Sequence, residues 1–322
     1  MTQGFGIVSG GVQAETAAMV AKILGTKVLK TELKKFPNGE RYARLEQNVR
    51  NLDLFIFNSC TNTEKYTLND ALIETLIIID AAKRASSNKI SVVLPLFPYA
   101  RQDRKARTRE PITSALVLSI LKQAGADRII AVDLHSTQSQ AAFPGPFENL
   151  SAHHLLTKNL KNHIKTHQGD YVIVAPDAGS VKNSSRFAKE LEIPIVFIPK
   201  TRDNKDPSKI TRPKETENVV GKNCIIIDDM IDTGGTIISA ADMLKKSGAA
   251  KIIVCATHGI FSANATDKIY DSAIDLVMVT DSVPQSNHQK ILKDKLQVIP
   301  IAPLLADAIK SVQTGDCLLD ID

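Results

Sequence analysis

Short, continuous runs of isoleucine, valine and leucine recur along the chain, and stretches with the apolar spacing of a helix separate them. Among the apolar runs are residues 90–94, 129–133, 171–175 and 224–228. Strands with apolar side chains on both faces are buried on both sides, as in parallel sheets that helices cover. The alternation therefore predicts an α/β fold in which mainly parallel sheets are flanked by helices.

The chain length and an internal echo predict two such domains. The 322 residues exceed the ~100–200 that one domain usually takes. Residues 54–95 and 224–257 each have the pattern strand, loop, helix, strand. We place the boundary after the proline- and glycine-rich segment 143–146, which gives an N-terminal domain of residues 1–150 and a C-terminal domain of residues 151–322. The C-terminal tail is expected to pack back on the N-terminal domain.

Positive charge is concentrated in one short segment. The net charge is +5, but five cations fall within nine residues, namely Arg101, Arg104, Lys105, Arg107 and Arg109. A local anion-binding site accounts for such a cluster better than an extended nucleic-acid surface does. A solvated basic face is the alternative, and the sequence contains no known nucleic-acid-binding motif.

The cysteines and the hydropathy bear on the cellular compartment. The four cysteines form no CxxC pair, and we expect buried thiols in a reducing compartment. Residues 1–11 have neither a charged n-region nor a long apolar stretch. No apolar run approaches the ~20 residues of a membrane helix. We therefore expect a cytoplasmic protein with no membrane partner.

A short turn with a glycine pair follows the apolar run 224–228 and precedes a helical pattern. The turn consists of Asp232, Thr233, Gly234, Gly235 and Thr236. Backbone N–H groups, two hydroxyls and the helix dipole at such a helix N-terminus suit a phosphate monoester, and glycine lets the backbone approach closely. Asp228 and Asp229, which close the strand, could accept hydrogen bonds from vicinal sugar hydroxyls. The stretch therefore predicts a site for a pentose 5-phosphate.

An ordinary strand, turn and helix with an Asp or Thr cap is the alternative interpretation of this stretch. Caps of this kind are common in proteins. Two acids that close an apolar strand shortly before such a turn are much rarer, and we therefore favour the phosphate site.

Residues 224–236 closely resemble the phosphoribosyl pyrophosphate loop that type I phosphoribosyltransferases and ribose-phosphate pyrophosphokinases share. Residues 36–40, 97–105 and 133–136 resemble class I ribose-phosphate pyrophosphokinases, and the transferases lack the Tyr-Ala-Arg-Gln-Asp-Arg sequence of the second segment. The resemblance covers nearly the whole chain. It implies two similar type I phosphoribosyltransferase-like domains. It also implies transfer of the β,γ-diphosphoryl group of MgATP to ribose 5-phosphate, with AMP as second product.

The resemblance implies roles for single residues. Those that would bind ATP are Phe36, Asn38, Gly39, Glu40, Arg101 and Gln102. Those that would bind ribose 5-phosphate are Arg202, Asp228, Asp229, Asp232, Thr233, Gly234, Gly235 and Thr236. His135 and Asp177 would bind Mg²⁺, and Lys200 would be the catalytic lysine with Arg202 as its partner.

Apart from the resemblance, several of these residues could have ordinary structural roles. Phe36 could belong to a core, and His135 could be structural. Because Mg²⁺ prefers oxygen ligands, His135 could also act through water or on a phosphate. Lys200 and Arg202 could be ordinary surface charges. The polar segment 201–222 could be a lid over the site or a plain surface loop.

Two stretches depart from the usual family pattern. In residues 142–149, alanine replaces a phenylalanine and Pro-Gly-Pro-Phe-Glu-Asn replaces an Asp-Ile-Pro-Val-Asp-Asn-type sequence. In the family this region serves subunit contacts and an allosteric phosphate/ADP site, and dimers assemble into hexamers. We expect a homo-oligomer here, while its size and regulation stay open. Residues 177–183 lose one basic residue near the metal site but keep Asp177.

Three other functions stay open at this point. A type I phosphoribosyltransferase would account for residues 228–236 but not for residues 36–40 or 101–105. A non-catalytic regulatory homologue is favoured only by the altered residues 144–148. It is opposed by the intact turn 232–236 and by the retained Lys200, Arg202, His135 and Asp177. A nucleic-acid binder is supported by nothing beyond the single basic run.

Overall fold

The computed structural model describes residues 4–176, 179–198, 201–202, 210–211 and 217–317. It contains two compact units. The first comprises the described residues up to Ala152, together with Ser282–Pro284 and the segment from Pro300 onward. The second comprises His153–Asp281 and Gln285–Ile299.

Both units alternate strands and helices along the chain. The first contains β1 (Phe5–Ser9), α1 (Ala14–Ile23), β2 (Thr31–Lys35), β3 (Arg41–Leu45), β4 (Asp53–Phe57), α2 (Leu68–Arg84), β5 (Lys89–Leu94), α3 (Thr113–Ala124), β6 (Arg128–Val132), a 3₁₀ helix (Thr137–Ala142) and β7 (Phe147–Leu150). The second contains α4 (His153–Thr166), β8 (Tyr171–Ala175), α5 (Val181–Leu191), β9 (Ile195–Phe197), β10 (Thr201–Arg202), β11 (Ile210–Thr211), a 3₁₀ helix (Glu217–Val219), β12 (Asn223–Ile231), α6 (Gly235–Lys246), β13 (Lys251–Gly259), α7 (Ala265–Tyr270), β14 (Leu276–Thr280), α8 (Ser286–Leu292), a 3₁₀ helix (Lys293–Lys295) and β15 (Leu296–Ile299). Helix α9 (Ala302–Thr314) returns to the first unit.

Each unit is built on a parallel sheet. The strand order is β1-β4-β5-β6-β7 in the first unit and β15-β14-β13-β12-β8-β9 in the second. Every pairing within these two sheets is parallel. Antiparallel pairing occurs in two small two-stranded sheets of the described residues, β2-β3 and β10-β11. The predicted α/β class with mainly parallel sheets is confirmed.

The apolar runs of the sequence form the buried strands of these sheets. In β5, Ile90 and the residues after it up to Leu94 are buried, and all five residues of β8 are buried. Because both faces of these strands lie against helices and loops, no polar alternation is needed along them. Helix α2 begins at a capping box in which Thr67 and Asp70 each satisfy the other's backbone N–H group.

Helix α9 packs against α1 within the first unit. A proline lies in its first turn, where a missing N–H group costs nothing. Gly315 ends the helix at φ +80°, a conformation that glycine adopts without strain. The last described segment of the chain therefore belongs to the same unit as its beginning.

Three of the four cysteines are buried, as expected, but Cys317 is exposed because it lies beyond the end of α9. Burial raises the pKa of both Cys224 and Cys255 to about 12, which keeps these thiols protonated. Among the described helices, none combines the length and the apolar character that crossing a membrane would require.

A half-buried histidine makes the stability of the second unit sensitive to pH. Burial lowers the pKa of His288, whose Nδ1 lies 2.9 Å from the Thr266 hydroxyl and whose ring packs on Phe261. The unfolded chain therefore binds a proton more readily than the native protein does, so stability falls as the pH drops below the unfolded pKa near 6.5.

We expect the thermal midpoint of unfolding to decrease when the pH is lowered from 7.5 to 5.5, and we expect a smaller decrease in His288→Gln. Calorimetry at several pH values measures the slope of the thermal midpoint against pH in both proteins. Equal slopes in the two proteins would contradict the assignment to His288.

Candidate active site

The glycine turn joins β12 to α6 in the second unit. Gly234 stands at the N-cap of α6 with φ +75° and has no side chain that could cap the first-turn amides. Thr233, Gly235 and Thr236 are exposed, and Asp232 is half-buried. The turn thus places exposed backbone and hydroxyl groups at the positive end of a helix dipole, which is the arrangement that binds a phosphate.

The two acids upstream of the turn lie inside the strand, and the prediction that they close it was wrong. Strand β12 continues to Ile231 because its pairing with β13 runs on to Gly259, whereas β8 pairs only as far as Ile226. Asp228 and Asp229 are half-buried in this extension, and the Asp228 carboxylate accepts a hydrogen bond of 2.9 Å from the Asp229 N–H group.

A second loop supports the turn through its backbone. The Ile231 carbonyl accepts hydrogen bonds from Ile260 (2.9 Å) and Phe261 (3.0 Å), and the Asp232 carbonyl accepts one from Ser262 (3.0 Å). Phe261 is buried at φ +50°, a conformation that is costly for a residue with a side chain. The loop after β13 therefore braces the glycine turn.

Gln285 holds this bracing loop in place and was missed in the sequence analysis. Its side-chain amide donates to the Gly259 carbonyl at 2.8 Å, and the residue is 4% exposed. Gln285 lies in no recognisable motif, so the sequence does not predict its contact with a residue 26 positions away.

In the first unit, the turn with the basic cluster follows β5. Arg101 and Gln102 are exposed, and the Thr113 hydroxyl donates to the Gln102 side-chain oxygen at 2.6 Å. One Glu110 carboxylate oxygen accepts the backbone N–H groups of Ala106 (2.8 Å) and Arg107 (2.7 Å). These bonds order the basic loop and leave its cations exposed, which is the condition for binding an anion.

The structure brings this turn to the loop after β6 that carries His135. Val132 donates to the Pro95 carbonyl at 3.2 Å, so the carboxyl ends of β5 and β6 are adjacent. A hydrogen bond from Ser136 holds the pKa of Asp103 below its usual value, and the charges of Arg104 and His135 lower it further. His135 is exposed, and it lies close enough to the Asp103 carboxylate for the two charges to interact.

The hairpin β2-β3 carries the other predicted nucleotide residues at its tip. Phe36 is 45% exposed and contacts Tyr42 edge-on at 5.9 Å between ring centroids, so it is not a core residue. Asn38 and Glu40 are exposed, and the Asn38 side chain accepts the Glu40 N–H at 3.2 Å. Gly39 has φ +97°, a turn conformation that favours glycine.

The hairpin tip and the Arg101 turn lie against the same end of α2. An open cavity of about 380 Å³ has Glu40 and Asn69 in its lining. The Tyr99 hydroxyl donates to the Asn69 side chain at 2.6 Å, which ties the turn before Arg101 to this helix. The hairpin tip and the turn before Arg101 thus meet at one end of α2, where residues of the tip and of this helix line the cavity.

Three of the predicted site residues lie wholly or partly outside the described part of the chain. Asp177 and Lys200 lie outside the described residues, and Arg202 is described only as part of the backbone of β10. In the described ranges, no group of three or more histidine, cysteine, aspartate or glutamate side chains is arranged to hold a metal ion. The Asp103 carboxylate and the His135 imidazole share one edge of the sheet, which suits a Mg²⁺ ion held mainly by substrate phosphates and water.

Parallel α/β sheets that carry a glycine turn and an exposed basic turn at their strand ends define the class of α/β proteins with candidate anion sites at those ends. Residues 5–125 match the family model described as the N-terminal domain of ribose phosphate pyrophosphokinase, and residues 207–320 match that of the phosphoribosyl synthetase-associated domain.

Relatives that match almost end to end agree with this class. A ribose-phosphate pyrophosphokinase of Corynebacterium efficiens is 41% identical over 94% of this chain and 91% of its own. One of Bifidobacterium longum is 41% identical over 95% and 88%. The crystal structure of phosphoribosylpyrophosphate synthetase from Mycobacterium smegmatis superposes with a TM-score of 0.87 at 40% identity, over 97% of this chain and 100% of that one. The chain belongs to the ribose-phosphate pyrophosphokinase family.

Proposed function

We propose that this enzyme transfers the diphosphoryl group of MgATP to the C1 hydroxyl of ribose 5-phosphate, giving phosphoribosyl pyrophosphate and AMP for nucleotide biosynthesis. The proposal rests on one observation. This chain has both a glycine turn at the start of α6, suited to a phosphate, and an exposed basic turn after β5. A phosphoribosyltransferase would need the first of these but not the second.

Ribose 5-phosphate would bind in the second unit. Its phosphate would accept hydrogen bonds from the amides and hydroxyls of residues 232–236, where the helix dipole favours the negative charge. Its ring hydroxyls would donate to Asp228 and Asp229, whose half-buried carboxylates lie in the strand that leads to the turn. Arg202 would add a cation to the sugar phosphate.

ATP would bind in the first unit. Arg101 offers a planar fork of donors for phosphate oxygens, and the Gln102 amide group keeps its own N–H donors while its oxygen is bonded to Thr113. Phe36 has the exposed ring that stacking on adenine requires, and Asn38, Gly39 and Glu40 would form a wall of the site.

In the reaction, the C1 hydroxyl oxygen would attack the β-phosphorus, and the bond between this phosphorus and the oxygen that bridges to the α-phosphorus would break. AMP would leave with that bridging oxygen, and the hydroxyl proton would pass to solvent. Lys200 and Arg202 would stabilise the negative charge that develops on the transferred group. Mg²⁺, held near His135 and Asp177, would neutralise charge on the phosphate oxygens.

The decisive assay is incubation of the purified protein with ATP, ribose 5-phosphate and Mg²⁺, followed by chromatographic measurement of AMP. We expect AMP and phosphoribosyl pyrophosphate in equal amounts, and neither product when ribose 5-phosphate is omitted. A second incubation supplies phosphoribosyl pyrophosphate and a free base other than adenine. Consumption of phosphoribosyl pyrophosphate there, with no AMP in the first incubation, would favour a phosphoribosyltransferase. No turnover in either assay would favour a regulatory homologue.

We also propose that the enzyme acts in the cytoplasm as a homo-oligomer built from dimers, up to a hexamer. The family supports this proposal. Of the altered residues 142–149, Phe143 is buried and its ring centroid lies 6.5 Å from that of Phe147, whereas residues 142 and 144–146 are exposed. Repeating the assay with inorganic phosphate and with ADP compares the regulation of this enzyme with that of the family.

A further inference from the structure

The tip of the β2-β3 hairpin depends on contacts outside the hairpin. Within the tip, Phe36 donates to the Glu40 carbonyl at 2.8 Å and Gly39 donates to the Phe36 carbonyl at 2.9 Å. Lys35 and Arg41 are the cross-strand pair that closes this turn. A two-stranded hairpin is only marginally stable by itself in water, so its position must come from the surface on which it packs.

Arg41 anchors one side of the hairpin through a buried ion pair with Glu74 of α2. The two side chains are 6% and 0% exposed. The second Glu74 carboxylate oxygen accepts the Gly11 N–H group at 2.8 Å. Both oxygens of this carboxylate are therefore used, one for the hairpin and one for the loop before α1.

Tyr66 completes the anchor. The Arg41 guanidinium lies over its ring, 4.1 Å from the centroid. Burial raises the pKa of the Tyr66 hydroxyl, and the nearby charge of Glu74 raises it further. A methyl group on Gly11 would lie only 1.8 Å from the Tyr66 hydroxyl oxygen, so this hydroxyl lies directly against the Gly11 backbone. The guanidinium plane is thus held by a carboxylate at its edge and an aromatic ring on its face.

The pair on the other strand is different in kind. Lys35 bonds to Asp70, one helical turn before Glu74, at 3.2 Å, but the two side chains are 45% and 15% exposed. Because solvent screens exposed pairs of this kind, Lys35 has little hold on the hairpin. The buried pair therefore sets the position of the tip, and Arg41 directly follows Glu40 in that tip.

We propose that the Arg41–Glu74 pair is a positioning element for the nucleotide, which orients residues 36–40 before ATP binds. The inference rests on the proposed function of these residues in ATP binding. A tip that is oriented in advance loses less conformational freedom on binding, and this saving appears as nucleotide affinity. Loss of the pair should therefore raise the KM for ATP and leave ribose 5-phosphate, which binds in the other unit, unaffected.

The test is the double variant Arg41→Met, Glu74→Gln, which leaves no buried charge and keeps an acceptor for the Gly11 N–H group. We expect a thermal midpoint close to that of the wild type and a KM for ATP raised by about tenfold. We expect kcat and the KM for ribose 5-phosphate to change by less than about twofold. Lys35→Met is the matched control, since it removes the cross-strand cation and should change the KM for ATP by less than about twofold.

A stable double variant with the wild-type KM for ATP would overturn the inference, because the pair would then serve the fold alone. If the double variant does not fold, Arg41→Lys decides, since it keeps the cation and loses the planar fork. A raised KM for ATP in Arg41→Lys supports the inference, and an unchanged one overturns it. A wild-type protein that releases no AMP would instead count against the proposed function.

Discussion

Replacement of Lys200 by alanine is expected to lower turnover by about 10²–10³ while the fold is kept. The expected loss is large because phosphoryl transfer depends on positioning and charge neutralisation, and a cation near the transferred group acts mainly in the transition state. Ribose 5-phosphate should still bind, because the phosphate turn at the start of α6 belongs to another segment. Steady-state kinetics and calorimetric binding of ribose 5-phosphate measure the two effects separately.

Lys189→Ala is the control for this experiment. Lys189 is an exposed lysine in the last turn of α5 and has no place in the proposed site. The Lys189→Ala enzyme should keep the wild-type kcat. A Lys200→Ala enzyme with near-normal kcat would remove this residue from the catalytic machinery without affecting the family assignment.

Alanine at Gly235 is expected to raise the KM for ribose 5-phosphate by about tenfold or more without loss of stability, because the added methyl group would occupy the phosphate cradle. Within the protein this methyl group would meet nothing closer than the Thr233 hydroxyl oxygen at 3.9 Å. Steady-state kinetics with ribose 5-phosphate as the varied substrate, together with thermal unfolding of the apoprotein, checks both halves of this expectation.

The neighbouring substitution, Gly234→Ala, separates strain from obstruction. Gly234 has φ +75°, and its methyl group would lie 3.3 Å from Ile238 Cδ1, so the variant should also lose about 1–2 kcal/mol of stability. Gly315→Ala is the matched control, since its φ is +80° and nothing lies within 4 Å of the added methyl group. It should lose stability and keep the KM. A Gly235→Ala enzyme with the wild-type KM would place the phosphate elsewhere.

Several features of the site were predictable because their signals are local. A glycine pair at a strand-to-helix turn lies within a few residues of the helix whose dipole it uses, and the structure places Gly234 at the N-cap of α6. The Arg101 turn follows its strand in the same way. The end of β12 was not predictable, because it depends on pairing with β13, and Gly259 is 28 residues from Ile231.

The sequence by itself determined the α/β class, the glycine turn before α6 and the family, since continuous apolar runs and short motifs reflect interactions within a few residues of each other. Only the tertiary structure decided which distant side chains meet. Arg41 and Glu74 are 33 residues apart in the sequence, and so are Asp103 and Ser136. Their contacts depend on how a hairpin packs on a helix and how strand ends lie side by side, and no local periodicity records that packing.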